Sequence, residues 1–117
     1  MSGLRGHLGG IAAEEAVERH YAARGGTVLA RRWRSAAGEI DLVIDDGGTA
    51  VFVEVKARQD HRTAAEAITP RQWRRVAASA EVFMSEAGRM GGDMRFDAAL
   101  VNGQGAVEVI ENVTVWE

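Results

Sequence analysis

The strongest constraint on the fold is a pair of adjacent segments in which apolar and polar residues alternate. They span residues 39–45 and 49–56, with an Asp-Asp-Gly-Gly turn where they meet. Alternation with a period of two predicts β-strands, and an Asp-Gly pair between such strands is typical of a hairpin. With Asp46-Gly47 as the two-residue loop, we expect Glu39 to lie directly opposite Glu54.

This register gives the hairpin two different faces. The first is entirely apolar and consists of Ile40, Leu42, Ile44, Val51, Val53 and Val55. We expect a helix to cover it, because a slip by one residue would expose the whole set. The second face combines charged and apolar side chains, namely Glu39, Asp41, Val43, Ala50, Phe52, Glu54 and Lys56. Carboxylates that face each other across two strands are destabilising, so the second face needs an explanation.

A bound cation would supply that explanation. Convergent carboxylates become favourable when a divalent ion lies between them, and oxygen ligands suit Mg²⁺ or Mn²⁺. Lys56 is the only lysine among 14 Lys and Arg residues, and an ammonium at such a site can orient water or neutralise charge on a phosphorus centre. The alternative is an exposed edge hairpin, with Glu54 and Lys56 as a surface ion pair worth less than about 1 kcal/mol.

The remaining segments predict a single α/β unit over residues 1–117, in the order α-β-β-β-α-β-β. The second helix is expected to begin with Thr69 as its N-cap and Pro70 in its first turn. The expected helices cover 10–24 and 69–87, and the expected strands cover 27–34, 39–45, 49–56, 94–101 and 106–115.

Glu14 lies on the apolar stripe of the first predicted helix, between Ile11 and Val17. A carboxylate on an inward face needs a partner. It is either a further metal ligand or general base, or the partner of an arginine, for which Arg58 and Arg95 are the candidates.

Composition limits the compartment and the partners. The chain has no cysteine and a formal net charge of −3. Disulfides, thiol catalysis and Cys-ligated zinc are therefore excluded, and no apolar run is long enough to span a membrane. We expect a cytoplasmic protein without a membrane partner. The net charge disfavours a general coat of nucleic acid but permits a local basic face.

Two clusters that interleave arginine with tryptophan predict such a face. They surround Trp33 and Trp73, whose indoles either stack near a nucleic acid or anchor the core. The candidate contacts to a phosphate backbone are Arg31, Arg32, Arg34, Arg58, Arg71, Arg74 and Arg75.

Asp41, followed after twelve residues by Glu54-Val55-Lys56, resembles the D-x(n)-(D/E)-x-K signature of PD-(D/E)xK nucleases. More closely, residues 38–42 (GEIDL) and 51–58 (VFVEVKAR) resemble the YraN-like bacterial family, which is related to archaeal Holliday-junction resolvases. Segments around Glu14, Thr69-Pro70-Arg71 and Arg95-Phe96-Asp97 extend the resemblance over almost the whole chain. Gln72 departs from it, because relatives usually have a lysine there.

The resemblance implies a restriction-endonuclease-like fold, with a mixed sheet flanked by helices. It implies that Asp41 and Glu54, with Glu14, hold Mg²⁺ or Mn²⁺, that Lys56 assists the attacking water, and that Glu39 supports the site. The implied activity is hydrolysis of DNA, above all branched or structured DNA, with RNA left open. A resolvase-like role would need two sites and hence a homodimer.

A different class of protein fits the same residues. A non-catalytic nucleic-acid-binding or adaptor module could retain the nuclease fold without cutting. The acid-rich last third, residues 81–117, would then contact a protein partner.

Overall fold

The computed structural model describes the backbone of residues 2–114 and the side chains from residue 10 onward. Its elements are α1 (Ser2–Ala22), β1 (Thr27–Ser35), β2 (Gly38–Asp46), β3 (Thr49–Ala57), α2 (His61–Glu66), α3 (Pro70–Glu86), β4 (Met94–Val101) and β5 (Val107–Ile110). The α/β class is confirmed and the predicted order is matched, apart from the short α2. Helix α1 begins earlier than expected, and β5 is shorter than the strand predicted over 106–115, of which Val115 lies outside the described residues.

The five strands form one mixed sheet in the order β1-β2-β3-β4-β5. Strands β3 and β4 are parallel, and the other neighbours are antiparallel. A parallel pair needs a long crossover connection, which here carries α2 and α3.

Helices cover both faces of the sheet, and each face has its own apolar cluster. Helix α1 packs through Val17 and Tyr21 onto a cluster that contains Leu42 and Val53. Helix α3 packs through Val76 and Phe83 and α2 through Ala64 on the opposite side, onto apolar side chains of β2, β3 and β4. The expectation that a helix covers the apolar face of the hairpin is therefore confirmed.

One member of that face was placed wrongly. Ile40 packs with Val43 and Phe52 against α3, whereas Leu42 packs against α1. Residues two apart in a regular strand share a face, so the alternation of β2 breaks between Ile40 and Leu42. The residue at the break is Asp41.

The predicted register of the hairpin is wrong by two residues. Gly47 and Gly48 form the loop, with φ angles of 60° and 96°, and Asp46 pairs with Thr49. The tight hairpin loop that matches the strand twist needs positive φ at both central residues, which two glycines adopt more easily than Asp46 and Gly47. Glu39 is therefore not opposite Glu54.

Helix α3 begins as the sequence predicts. The Thr69 hydroxyl accepts a hydrogen bond from the Gln72 backbone N–H, and the Gln72 side chain accepts one from the Thr69 N–H, with Pro70 in the first turn. Such reciprocal caps satisfy two backbone donors at the start of a helix. Gln72 thus stabilises the start of α3 at the position where relatives usually have a lysine.

A buried carboxylate ties α1 to β4. Asp97 on β4 is fully buried and accepts hydrogen bonds from the Tyr21 hydroxyl at 2.7 Å and from Arg95 Nε at 3.1 Å. The backbone N–H of Asn112 donates to it as well. The Arg95-Phe96-Asp97 segment therefore serves the packing of the fold.

Candidate functional site

The candidate site lies where strands β2 and β3 stop pairing. Their ladder runs from Asp46–Thr49 to Leu42–Val53, and the next pair in that register would be Asp41 with Glu54. Instead of a backbone carbonyl of β2, the Asp41 carboxylate accepts the hydrogen bond of the Val55 N–H, at 2.9 Å. This bond fixes the Asp41 side chain against the opening between the strands.

Glu54 is the buried member of the resulting carboxylate pair. Its residue is only 8% exposed. Burial, followed by the charge of Asp41 and a hydrogen bond between the two carboxyl groups, raises the pKa of Glu54 to about 8. Two carboxyl groups that share one site do not both ionise easily, so the pKa of one of them rises.

Lys56 completes the group. Its Nζ lies 3.9 Å from Glu54 Oε1, and its side chain is 19% exposed. Its positive charge acts against the rise in the pKa of Glu54 without overcoming the effect of burial. The expected convergence of Asp41, Glu54 and Lys56 is thus present in the structure, although through a different register.

Glu39 occupies a different position from the one predicted. It pairs across the sheet with Arg34 on β1, whose Nε donates to Glu39 Oε2 at 3.1 Å. Its charge makes only a small contribution to the raised pKa of Glu54. Glu39 therefore lies at the edge of the site and does not face Glu54.

The arginine partner of Glu14 is Arg32, and the prediction of Arg58 or Arg95 is wrong. Arg32 Nε donates to Glu14 Oε1 at 2.9 Å. This hydrogen bond, helped by the charges of Glu14, Glu39 and Asp41, raises the pKa of Arg32. Arg32 thus joins Glu14 on α1 to β1, which pairs with the strand β2 that carries Asp41.

The backbone of Arg32 has an unusual conformation. Its φ is 46°, in the left-handed region that costs residues with a side chain on the order of 1–3 kcal/mol. Between the pairs Arg31–Leu42 and Trp33–Ile40 of the β1–β2 register, Arg32 falls at the position of Asp41, the residue at which β2 changes face. The strained residue and the break in alternation lie together at the candidate site, which is where such strain is most often found.

Among the residues that the structure describes, the carboxylates of the site form a pair and no larger set. The described residues contain no group of three or more His, Asp or Glu side chains close enough to bind one. The three-carboxylate set of Asp41, Glu54 and Glu14 is therefore not assembled. Asp41 and Glu54 alone still fit Mg²⁺ or Mn²⁺, since such ions are commonly held by one or two carboxylates together with water and phosphate oxygens.

The predicted nucleic-acid contacts fall into two groups. On β1, Arg31, Arg32 and Arg34 donate to Glu18, Glu14 and Glu39, respectively. The arginines at the end of β3 and on α3, namely Arg58, Arg71, Arg74 and Arg75, have no carboxylate partner among the described side chains. Only the second group is free to bind phosphate without first losing an ion pair.

Both tryptophans of the clusters pack against an apolar cluster of the core. Trp33 meets Phe83 edge-to-face, with ring centroids 5.4 Å apart, and Trp73 meets Phe96 in the same way at 6.4 Å. Both residues are half-buried. The core-anchor interpretation therefore accounts for both indoles.

The chain belongs to a bacterial family. Residues 13–101 match the family described as "Uncharacterised protein family UPF0102". A UPF0102 protein of Cereibacter sphaeroides is 47% identical over 115 residues, which cover 96% of this chain and 97% of that protein. Another, of Ruegeria pomeroyi, is 47% identical over 112 residues, covering 94% and 90%. The chain is a member of the UPF0102 family, and the resemblance to the YraN-like family is confirmed because the two are the same family.

A third relative, from Dinoroseobacter shibae, is 42% identical over 114 residues and carries the same family name. These names describe a family and no activity. Among the described residues, no helix is both long and apolar enough to cross a membrane.

Proposed function

We propose that the protein is a metal-dependent nuclease that hydrolyses phosphodiester bonds in DNA, with branched or otherwise structured DNA as its substrate. The observation that carries this proposal is the pair formed by the half-buried Asp41 and the buried Glu54, with Lys56 beside it, at the point where β2 and β3 separate. Burial of a carboxylate is costly unless the charge is compensated, and a cation shared with Asp41 would compensate Glu54.

Each residue of the group has a distinct role in the proposal. Asp41, held by the Val55 N–H, and Glu54 supply oxygen ligands for Mg²⁺ or Mn²⁺. When bound, such an ion would polarise the scissile phosphate and lower the pKa of a bound water molecule. Lys56 places an ammonium beside Glu54, where it can hold the attacking water and neutralise charge that develops on the phosphate oxygens.

Glu14 and Arg32 act behind this group. Arg32 holds Glu14 on α1 and lies opposite Asp41, so its side chain supports the positions of α1 and β2 relative to each other. The unpaired arginines of α3 and of the end of β3 supply candidate contacts to the DNA backbone.

The test is cleavage of a labelled panel of a four-way junction, a flap, a duplex, and single-stranded DNA and RNA, with Mn²⁺ and with a chelator. We expect cutting of the branched DNA that stops in chelator and is lost in Asp41→Asn and Lys56→Ala. Arg24→Ala is the matched control, since Arg24 is an exposed arginine whose nearest carboxylate oxygen is 3.9 Å away. Cutting that persists in both site variants would refute the proposal.

A second candidate is a nucleic-acid-binding module that retains the fold without cutting. It is favoured by the binding of Glu14 to Arg32, which leaves no three-carboxylate group among the described residues. Salt-dependent binding of the junction, with no cleavage of any substrate in Mn²⁺, would support this module over the nuclease. For a resolvase-like reaction we further propose a homodimer, which sedimentation of the junction complex would detect.

A further inference from the structure

A groove opens between α1 and the carboxyl ends of the parallel strands β3 and β4. Its volume is about 810 Å³, and its helical wall is formed mainly by Ala12, Ala13 and Ala16. In open α/β sheets, ligands are typically bound outside the carboxyl ends of the strands. No local pattern in the sequence indicates this groove, because its walls come from segments far apart in the chain.

The charged side chains of the groove are all positive. Arg19 from α1 and Lys56 and Arg58 from β3 and its end line it, and none of its described lining residues is acidic. Arg19 and Arg58 are exposed and form no ion pair with any carboxylate that the structure describes. In a chain with a formal net charge of −3, an all-cationic groove indicates an anionic ligand.

The uncharged lining residues indicate whether the groove contacts the backbone or the bases of a nucleic acid. Gln59, Asn102 and Gln104 add amide donors and acceptors near the strand ends. No aromatic side chain occurs among the described lining residues, so the groove lacks the platforms on which nucleobases stack. Walls of small residues, together with cationic and amide side chains, suit a sugar-phosphate backbone. Contacts of this kind do not read the base sequence.

The groove also connects with the candidate site. Lys56 lines the groove, and its Nζ lies 3.9 Å from Glu54 Oε1. A polyanion that lies along Arg19 and Arg58 therefore ends beside the carboxyl pair. The volume is of the size that encloses a drug-sized ligand, which corresponds to a short length of one strand and is too small for a duplex.

We propose that this groove binds the backbone of a single nucleic-acid strand and delivers it to the Asp41–Glu54–Lys56 group, so that the preferred substrates are those with an unpaired arm. This inference rests on the proposed nuclease function, which it deepens by naming the part of the substrate that the groove holds. The single strand is recognised by its phosphodiester backbone, whether of DNA or of RNA.

The test is fluorescence anisotropy with short labelled oligo-dT, oligo-U and a blunt duplex, in chelator so that no strand is cut. The variants are Arg19→Ala with Arg58→Ala, Ala12→Glu, and the matched double control Arg24→Ala with Arg62→Ala. Since each phosphate contact to a single strand contributes about 0.7 to the salt dependence, loss of two should reduce the slope of log K against log salt by about 1.4. Ala12→Glu should weaken strand binding in the same direction through repulsion.

Circular dichroism and thermal melts confirm that each variant is folded. The proposal is overturned if the Arg19/Arg58 variant binds single strands as tightly as the control does. It is also overturned if the wild type binds the duplex as tightly as the single strand and the Arg19/Arg58 variant loses as much affinity for the duplex as for the single strand. Comparison of oligo-dT with oligo-U assigns the strand to DNA or RNA. Groove binding without cleavage in Mn²⁺ would refute the nuclease alone, whereas cleavage unaffected by the groove variants would refute this inference alone.

Discussion

The arginines of β1 and those of α3 come from the same kind of sequence, an aromatic residue interleaved with arginines, and yet the fold gives them different neighbours. On β1 each arginine meets a glutamate, two of them on α1. On α3 Arg71, Arg74 and Arg75 are exposed and unpaired among the described residues. A basic cluster therefore indicates a nucleic-acid surface only when its charges are not already neutralised within the protein.

Arg95 represents the extreme of the paired class. It binds the fully buried Asp97, and also Asp46 at 2.9 Å. Here the arginine is largely buried against a fully buried carboxylate, and we expect the loss of either residue to reduce stability.

The largest effect is expected for Asp97→Ala. It leaves Arg95 and the Tyr21 hydroxyl without their buried partner, so we expect a loss of about 3–5 kcal/mol in the free energy of unfolding. Asp46→Ala is the control, since it removes a partner of Arg95 whose side chain is 42% exposed and should cost less than about 1 kcal/mol. Urea denaturation measures both, and equal costs would contradict a structural role for the buried pair.

The next effect concerns DNA binding by the two clusters. Arg71→Ala with Arg74→Ala removes two unpaired cations, and Arg31→Ala with Arg34→Ala removes two that already neutralise glutamates. With duplex DNA, each lost phosphate contact reduces the salt slope by about 0.9. We expect a reduction of about 1.8 for the α3 variant and almost none for the β1 variant. A similar loss in both would abolish the distinction.

Much of the fold, and less of the site, could be predicted from local patterns. The alternation in residues 39–56 identified the hairpin and its buried face, and Thr69-Pro70 identified the start of α3, because both signals depend on near neighbours. The register was wrong because Asp46-Gly47 and Gly47-Gly48 are both acceptable turn sequences. The structure uses Gly47-Gly48, the pair that adopts positive φ at both positions more easily.

The partners of the site residues depend on distant parts of the chain. Glu14 meets Arg32 because α1 packs across β1, β2 and β3, and Arg32, whose backbone is left-handed, lies within reach of the helix. A positive φ at a residue other than glycine has no reliable sequence signal. The groove between α1 and the strand ends could not be foreseen either, because its walls come from segments far apart in the chain.

A smaller effect is expected when a paired arginine is released. Glu18→Ala frees Arg31, which otherwise makes two hydrogen bonds to that carboxylate at 2.8 and 2.9 Å. The salt slope for duplex binding should rise by about 0.9. Glu15→Ala removes the same charge from an exposed neighbour on α1 and is the matched control. If both variants raise the slope equally, net charge alone explains the change.

The smallest effect concerns the Tyr21 hydroxyl, which should not ionise near pH 10 in the folded protein. Tyr21 is the only tyrosine, and burial together with its hydrogen bond to Asp97 raises its pKa well above the usual range. Since the folded protein holds this proton more tightly than the unfolded chain, the stabilisation is full below about pH 10 and is lost as the pH rises above that value. Ultraviolet absorbance should show phenolate only as the protein unfolds, and reversible ionisation near pH 10 in the folded state would contradict the burial.

The most direct test of the central claim, that Asp41 and Glu54 form the metal site, is Mn²⁺ binding measured by electron paramagnetic resonance. The wild-type protein is compared with Asp41→Asn, Glu54→Gln and Glu14→Gln. We predict that the first two variants lose Mn²⁺ binding, whereas Glu14→Gln retains it because Arg32 already holds that carboxylate. Absence of Mn²⁺ binding in the wild type, or binding that is unchanged in Asp41→Asn and Glu54→Gln, would contradict the account.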